Sequence, residues 1–212
     1  INKIWFEKLA LHTQVVVKKS EINYQHGRLL YTLLMDYINK RKENLEFCQI
    51  FETGTARGFS SICLSKALSD SNINGNIATV DVLPHKKKMI WNCIDDCYNF
   101  VSREDIVSRW QKEIKNITFY EGKSSEIMKN LNLKKIHFAF LDAHHIASEV
   151  MNEYNFVKSK QTKGDVIFFD DVTPNLYPGV VDALNIIIQS RDYAVEFLYV
   201  SEERQYAIAR KN

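Results

Sequence analysis

From about Phe47 onward, short apolar runs alternate with longer amphipathic ones, and this alternation restricts the fold more than any other feature of the chain. "FCQIFET", "NIATVDV", "NITFYE", "IHFAFLD" and "DVIFFDD" read as strands. Between them, "GFSSICLSKALSD", "KKKMIWNCIDDCYNF", a stretch near Glu104–Glu113, "SEIMKNL" and "ASEVMNEYNFVKSK" read as helices, and "GVVDALNIIIQS" follows the fifth strand. Such alternation implies a parallel sheet with helices on both faces, because each helix carries the chain back to start the next strand in the same direction. The closing "AVEFLYVSEERQYAIAR" reads as two strands joined by a charged turn, which adds an antiparallel hairpin at one edge. The expected fold is therefore α/β, a doubly wound, mostly parallel, seven-stranded sheet with N-terminal helices. In "YQHGRLLYTLLMDYINKRK", Leu29, Leu30, Leu33, Leu34 and Tyr37 recur at helix spacing.

A chain of 212 residues suits one domain, 1–212, with a helical cap over 1–44 and a core over 45–212. Lysines cluster at Lys18–Lys19, Lys86–Lys88 and Lys134–Lys135 without forming a basic stripe, and the formal net charge is only +2, so no nucleic-acid partner is expected. Cys48 and Cys63 fall in apolar runs and read as small core residues. Cys93 and Cys97 would share a helix face, but no second cysteine or histidine pair completes a zinc site. This usage fits a reducing compartment, and no apolar run is long enough to span a membrane, so the expected setting is the cytoplasm. A homo-oligomer is compatible with the sequence.

In open α/β sheets, ligands bind beyond the carboxyl ends of the strands. Here those junctions are polar, small or acidic: Glu52, Gly54 and Gly58 after the first strand, Asp81 after the second, Gly122 and Ser124 after the third, Asp142 with His144–His145 after the fourth, and Asp170–Asp171 after the fifth. The loop "ETGTARG" has the spacing E-x-G-x-x-x-G, not the G-x-G-x-x-G of dinucleotide sites or the G-K-[ST] of phosphate loops. Glycines there let backbone approach a ligand, and the N–H groups of a helix start can receive a carboxylate. Asp81 is either a turn residue before Pro84 or a receiver of ribose hydroxyls. Asp142, Asp170 and Asp171 end neighbouring strands, where three carboxylates repel unless a cation such as Mg²⁺ sits among them. The plainer alternative makes Asp171 a turn cap and Asp170 a partner of backbone.

Taken in order, "FETGTARGFSS", "IATVD", "FYEGKSSEIM", "IHFAFLDAHH" and "GDVIFFDDV" resemble the class I S-adenosylmethionine-dependent methyltransferases. Within that class the chain is most similar to the small-molecule O-methyltransferases of the caffeoyl-CoA, catechol and macrolide-sugar type, from about Gln25 to the C-terminus. The resemblance implies a Rossmann-like sheet whose last strand lies antiparallel between the fifth and sixth. It places Glu52, Gly54 and Gly58 at the amino-acid part of S-adenosyl-L-methionine, with Thr55 and Ser60 nearby. Asp81 would take the ribose hydroxyls, Gly122, Lys123 and Ser124 would approach the adenine, and Asp142 would border the cofactor.

In metal-dependent relatives, acids at the positions of Asp142, Asp170 and Asp171 hold a divalent metal, expected here to be Mg²⁺. His145 stands where relatives read D-G-x-H, with Ala143 replacing the glycine. It is a candidate general base beside Asp142, with His144 its competitor and helix capping the alternative. Tyr177, Pro178, Gly179, His85 and Trp91 are candidates for the acceptor pocket, core packing being the alternative for Trp91. The N-P-P-Y motif of amino-group methyltransferases is missing, since the fourth strand ends in "FLDAHH". The expected enzyme methylates a hydroxyl of a small molecule, such as a sugar, polyketide or catechol-like compound. A nicotinamide-dependent oxidoreductase on the same scaffold and a cofactor-binding module without catalysis are the rivals.

Overall fold

The computed structural model describes residues 2–14, 25–91, 100–201 and 204–212. In chain order the helices and strands are α1 (Lys3–Thr13), α2 (Gln25–Asn39), β1 (Phe47–Thr53), α3 (Phe59–Asp70), β2 (Asn74–Asp81), α4 (Arg103–Val107), α5 (Gln111–Ile114), β3 (Ile117–Glu121), α6 (Ser124–Asn130), β4 (Phe138–Leu141), α7 (Ala147–Lys158), β5 (Val166–Phe169), α8 (Pro178–Ser190), β6 (Tyr193–Ser201) and β7 (Arg204–Lys211). The strands form a seven-stranded sheet in the order β3-β2-β1-β4-β5-β7-β6. This is the mostly parallel α/β sheet expected from sequence, with β7 lying antiparallel between β5 and β6. The chain divides into two compact units, Ile1–Cys48 with Thr55–Glu121, and Gln49–Gly54 with Gly122–Asn212.

In the first unit, β2 and β3 pair in parallel from Ile77↔Ile117 to Asp81↔Glu121, which sets two carboxylates side by side at the strand ends. Helix α3 packs on α2 and on β2, burying Ile62, Cys63, Leu64, Ala67 and Leu68. The leucine pattern of α2 is its core face, with Leu30, Leu34 and Tyr37 buried. One expected helix differs. Over Lys86–Trp91 the chain is not helical; Met89 instead pairs with Val101 as an antiparallel bridge. The Trp91 indole N–H donates to the Val101 carbonyl at 2.9 Å, and Glu104 N–H donates to the His85 carbonyl at 3.0 Å. These bonds hold the segment out of a helix. The remainder of that expected helix, with Cys93 and Cys97, lies outside the described residues.

The second unit holds the buried centre of the sheet. Every residue of β4 and β5 is buried, as the unbroken runs "FAFL" and "VIFF" require of parallel strands covered on both faces. β4 pairs in parallel with β1 (Ile50↔Phe138 to Thr53↔Leu141) and with β5 (Phe138↔Val166 to Leu141↔Phe169). Helices α7 and α8 pack on each other, and α7 also packs on β4. Helix α8 starts with Pro178 in its first turn, where proline's missing N–H is harmless. Gly179 follows. A Cβ there would lie 2.3 Å from the His145 carbonyl oxygen, so glycine lets α8 close onto the loop after β4.

A test of the first unit's packing comes from Gly27 in α2. Helix propensity alone favours Gly27→Ala by about 1 kcal/mol. The added methyl would, however, sit 2.5 Å from Cys63 Sγ and 2.6 Å from Phe59 Cζ in α3. Overpacking of this kind costs about 1–3 kcal/mol. We expect the variant to melt ~2–4 °C lower than the parent by scanning calorimetry; a higher melting temperature would contradict the packing of α2 on α3.

Candidate active site

The hydrogen-bond ladders of the second unit run one residue past the strands and thereby place the acids. Asp142 N–H donates to the Thr53 carbonyl at 3.1 Å, and Asp170 N–H donates to the Leu141 carbonyl at 3.3 Å. Asp171 then turns the chain in the left-handed region at φ 56°, a conformation that Asp tolerates better than most side chains do. Its N–H donates to Asp170 Oδ1 at 2.7 Å. The Asp171 side chain makes two contacts, one per oxygen: Oδ2 lies 2.9 Å from His145 Nε2 and Oδ1 lies 3.3 Å from an Arg204 guanidinium nitrogen. Tyr177 stacks on the His145 ring at 4.2 Å and an interplanar angle of 24°, which fixes the imidazole plane.

Asp142, His145 and Asp171 each offer a ligand atom, and these atoms lie within 4.8 Å of one another. The two carboxylates suit a hard divalent cation such as Mg²⁺ or Mn²⁺, with the imidazole beside them. The electrostatics agree. Burial first, and then the charges of Asp170 and Asp171, push the Asp142 carboxyl well above the usual carboxylate range. Burial and Asp170 likewise push Asp171 up. Asp170, expected as a third ligand, lies outside this group; its carboxylate faces Arg204 at 3.4 Å and holds the Asp171 N–H.

Behind these residues lies a second polar cluster. Glu153 on α7 is only 1% exposed. Thr53 Oγ1 donates to its Oε2 at 2.9 Å, and His144 Nε2 stands 3.8 Å from Oε1 and 3.2 Å from Ser124 Oγ. One carboxylate thus ties together the end of β1, the start of α6 and the loop after β4. Burial pushes it above its ordinary range. Asp142, His144, His145, Glu153 and Asp170 line a common cleft. Its histidines are therefore separated by role, His145 on Asp171 and His144 on Ser124 and Glu153.

The glycine loop has two distinct physical explanations. In the second unit, Glu52 is fully buried at the end of β1, and Gly54 adopts φ 90°. A Cβ on Gly54 would lie 2.4 Å from the Asp142 carbonyl oxygen, so the close approach it permits is to the chain's own backbone. Gly122, at φ 147°, leads into α6, whose first residue is Ser124.

In the first unit, Gly58 is the left-handed N-cap of α3 at φ 95°, and no side chain caps that helix. Ser60 is buried in its first turn, and Thr55 Oγ1 shares a 2.6 Å hydrogen bond with Thr79 Oγ1. Asp81 receives N–H bonds from Ala56 at 2.5 Å and Leu83 at 2.7 Å, and the buried Arg103 lies 3.4 Å from it. A carboxylate offers about four acceptor positions, so these contacts leave capacity for further donors. Within this unit, an uncapped helix start and an acid at the end of β2 fit a cofactor carrying a carboxylate and a ribose. His85 stacks on Phe119 at 4.2 Å, and Trp91 is core, only 3% exposed.

Sequence reasoning missed Glu153 and Arg204. A signal existed for Glu153, because a glutamate stands among Val150, Tyr154 and Val157 on the buried face of α7. Arg204 sits in the charged "SEERQ" turn and looks solvated; only the antiparallel return of β7 beside β5 brings it to Asp170 and Asp171.

This strand order is that of the Rossmann-like class I methyltransferase fold. A family profile described as "Methyltransferase domain" matches residues 51–172, more than half of the chain, and the chain belongs to that family. No curated protein matches it. Among solved structures, it is similar to the O-methyltransferase TomG of Streptomyces achromogenes, involved in tomaymycin synthesis and solved with SAM, at 17% identity over 97% of this chain and 88% of that one, with a TM-score of 0.68. An O-methyltransferase from Bacillus cereus in complex with SAH is 15% identical over 100% of this chain and 92% of that one, with a TM-score of 0.66. The SAH-bound Podospora anserina methyltransferase PaMTH1 is 13% identical over 100% and 89%, with a TM-score of 0.64. At these identities the likeness speaks to the fold.

The crowding of acids has a consequence for stability. Asp142's folded pKa is raised above its unfolded value, so its contribution to stability is fully present at low pH and is lost as pH rises from the ordinary carboxylate range through the raised value. Asp142→Asn escapes that loss. In the presence of a chelator, the variant should melt above wild type at pH 8 by ~2–4 °C, with the gap closing near pH 4. Equal melting at pH 8 would contradict the electrostatic account.

Proposed function

We propose that this protein transfers a methyl group from S-adenosyl-L-methionine to a hydroxyl oxygen of a small molecule, with Asp142 and Asp171 holding a divalent cation, Mg²⁺ being the natural choice. The observation that carries this reading is the convergence of Asp142, His145 and Asp171 beyond the ends of β4 and β5 in a chain of the methyltransferase-domain family. The reading also draws support from the SAM and SAH carried by the similar O-methyltransferases. From the sequence resemblance we assign Glu52, Gly54, Gly122 and Ser124 in the second unit, and Thr55, Gly58, Ser60 and Asp81 in the first, to the cofactor. Asp142 borders it.

When bound, the sulfonium supplies an electrophilic methyl group, and a divalent cation supplies Lewis-acid polarisation of the acceptor hydroxyl. The chain's own residues do the rest. His145, with Nε2 bonded to Asp171, would keep Nδ1 as the basic nitrogen that accepts the proton of the acceptor hydroxyl. Tyr177 holds the imidazole plane by stacking, and the loop carrying His145 is clamped by Gly179. Orientation of this kind converts an encounter into a productive pose. We place the enzyme in the cytoplasm, acting on neither nucleic acid nor membrane.

Thermal shift separates this reading from its rivals, since a ligand stabilises only the state that binds it. S-adenosylhomocysteine at about 100 times its Kd should stabilise the protein by ~2.7 kcal/mol, while NAD should leave the melting temperature unchanged. Stabilisation by NAD alone would favour the oxidoreductase. In a transfer assay with a panel of hydroxylated sugars, polyketides and catechols, EDTA should abolish methylation and excess Mg²⁺ restore it. Indifference to EDTA would remove the metal from the mechanism and leave methyl transfer standing.

A further inference from the structure

The acids at the ends of β4 and β5 are not left to an external cation alone. Asp170 and Asp171 follow β5, and Arg204 opens β7, the strand paired antiparallel with β5. The pairing is extended by a bond from Val172 N–H to the Gln205 carbonyl at 3.0 Å, so the backbone itself fixes Arg204 beside the two acids. Its guanidinium nitrogens lie 3.3 Å from Asp171 Oδ1 and 3.4 Å from Asp170 Oδ2. From behind, Arg204 Nε–H donates to the Tyr206 hydroxyl at 2.9 Å, and the Tyr206 ring is buried against Phe168 at 5.2 Å. The arginine is therefore held by a neutral anchor on one side and presents its charge to both carboxylates on the other.

We infer that Arg204 is a resident counter-cation that competes with the divalent ion for Asp171 and so sets how tightly that ion binds. This rests on the reading of Asp142 and Asp171 as cation ligands. Asp171 offers one oxygen to Arg204 and the other to His145, so an ion drawing on Asp171 must share it with, or displace, a group already in place. Arginine does not lose its charge at any ordinary pH, so the competition persists wherever the enzyme works. An incoming divalent cation also meets the repulsion of the guanidinium, which loss of a proton does not relieve. The site is thus weak by construction, and Arg204 is the positioning residue that makes it so.

The test titrates Mn²⁺ alone into the purified full chain at pH 8, following unbound Mn²⁺ by electron paramagnetic resonance. Arg204→Gln should bind Mn²⁺ about tenfold or more tightly than wild type, because removing a neighbouring positive charge favours a cation strongly at these distances. Arg204→Lys, which restores the charge, should return most of the way to wild type, a rescue that a merely structural role would not give. Arg204→Met keeps the aliphatic stem beside Tyr206 and carries the same expectation as Gln should the Gln variant fold poorly. Asp142→Asn should weaken binding. If the Gln and Met variants bind Mn²⁺ no more tightly than wild type while Asp142→Asn weakens it, the inference about Arg204 falls and the metal site stands. If neither wild type nor the Arg204 variants bind Mn²⁺, the metal reading falls and takes this inference with it. S-adenosylhomocysteine binding then tells whether methyl transfer survives.

Discussion

Like-charged carboxylates held together against their repulsion are the condition on which the rest of the site depends. Asp142, Asp170 and Asp171 are all pushed above the usual carboxylate range, burial being the largest cause for each. Opposite unit charges about 4 Å apart attract by roughly 4 kcal/mol at an effective dielectric near 20, and desolvation takes back much of that gain. Arg204 supplies one positive charge to this balance, and His145 supplies a hydrogen bond. A divalent cation would supply more. The acids can stand this close because buried, regular strands position them: the ladders of β1, β4 and β5 continue into Asp142 and Asp170 without a break.

The loops around these strands are shaped by close backbone approach. Gly54 makes room for the Asp142 carbonyl, and Gly179 makes room for the His145 carbonyl. Both glycines act on the same loop, one from the end of β1 and one from the start of α8. Glu153 then binds that loop from within through His144, and its contacts with Thr53 and Ser124 join it to the neighbouring strand and helix ends. His145 is therefore placed by contacts on several sides, which is what a proton acceptor of fixed orientation requires.

Much of this was legible in the sequence, for a physical reason. Strands buried on both faces must be almost wholly apolar, so "FAFL" and "VIFF" stand out, and the first polar residue after each is the residue at the sheet's carboxyl edge. That is why the apolar runs alone point to Asp142 and Asp170, with Asp171 next in the chain. What local pattern could not supply was pairing at a distance. Arg204 meets Asp171 across 33 residues, and Glu153 meets Thr53 across 100. Nor does local pattern show that Gly54, expected beside a ligand, also clears the backbone of Asp142. The helix expected over Lys86–Trp91 failed because the Met89–Val101 bridge outweighed local propensity, a tertiary effect that periodicity does not register.

Diffraction from crystals grown with S-adenosylhomocysteine and Mn²⁺, recorded at the manganese edge, tests the central claim most directly. The account predicts an anomalous peak within coordination distance of Asp142 and Asp171, with the cofactor's carboxylate at the start of α3 and its ribose on Asp81. Density for the cofactor elsewhere, or a manganese peak away from Asp142 and Asp171 with the Asp171 contacts to His145 and Arg204 unchanged, would contradict it.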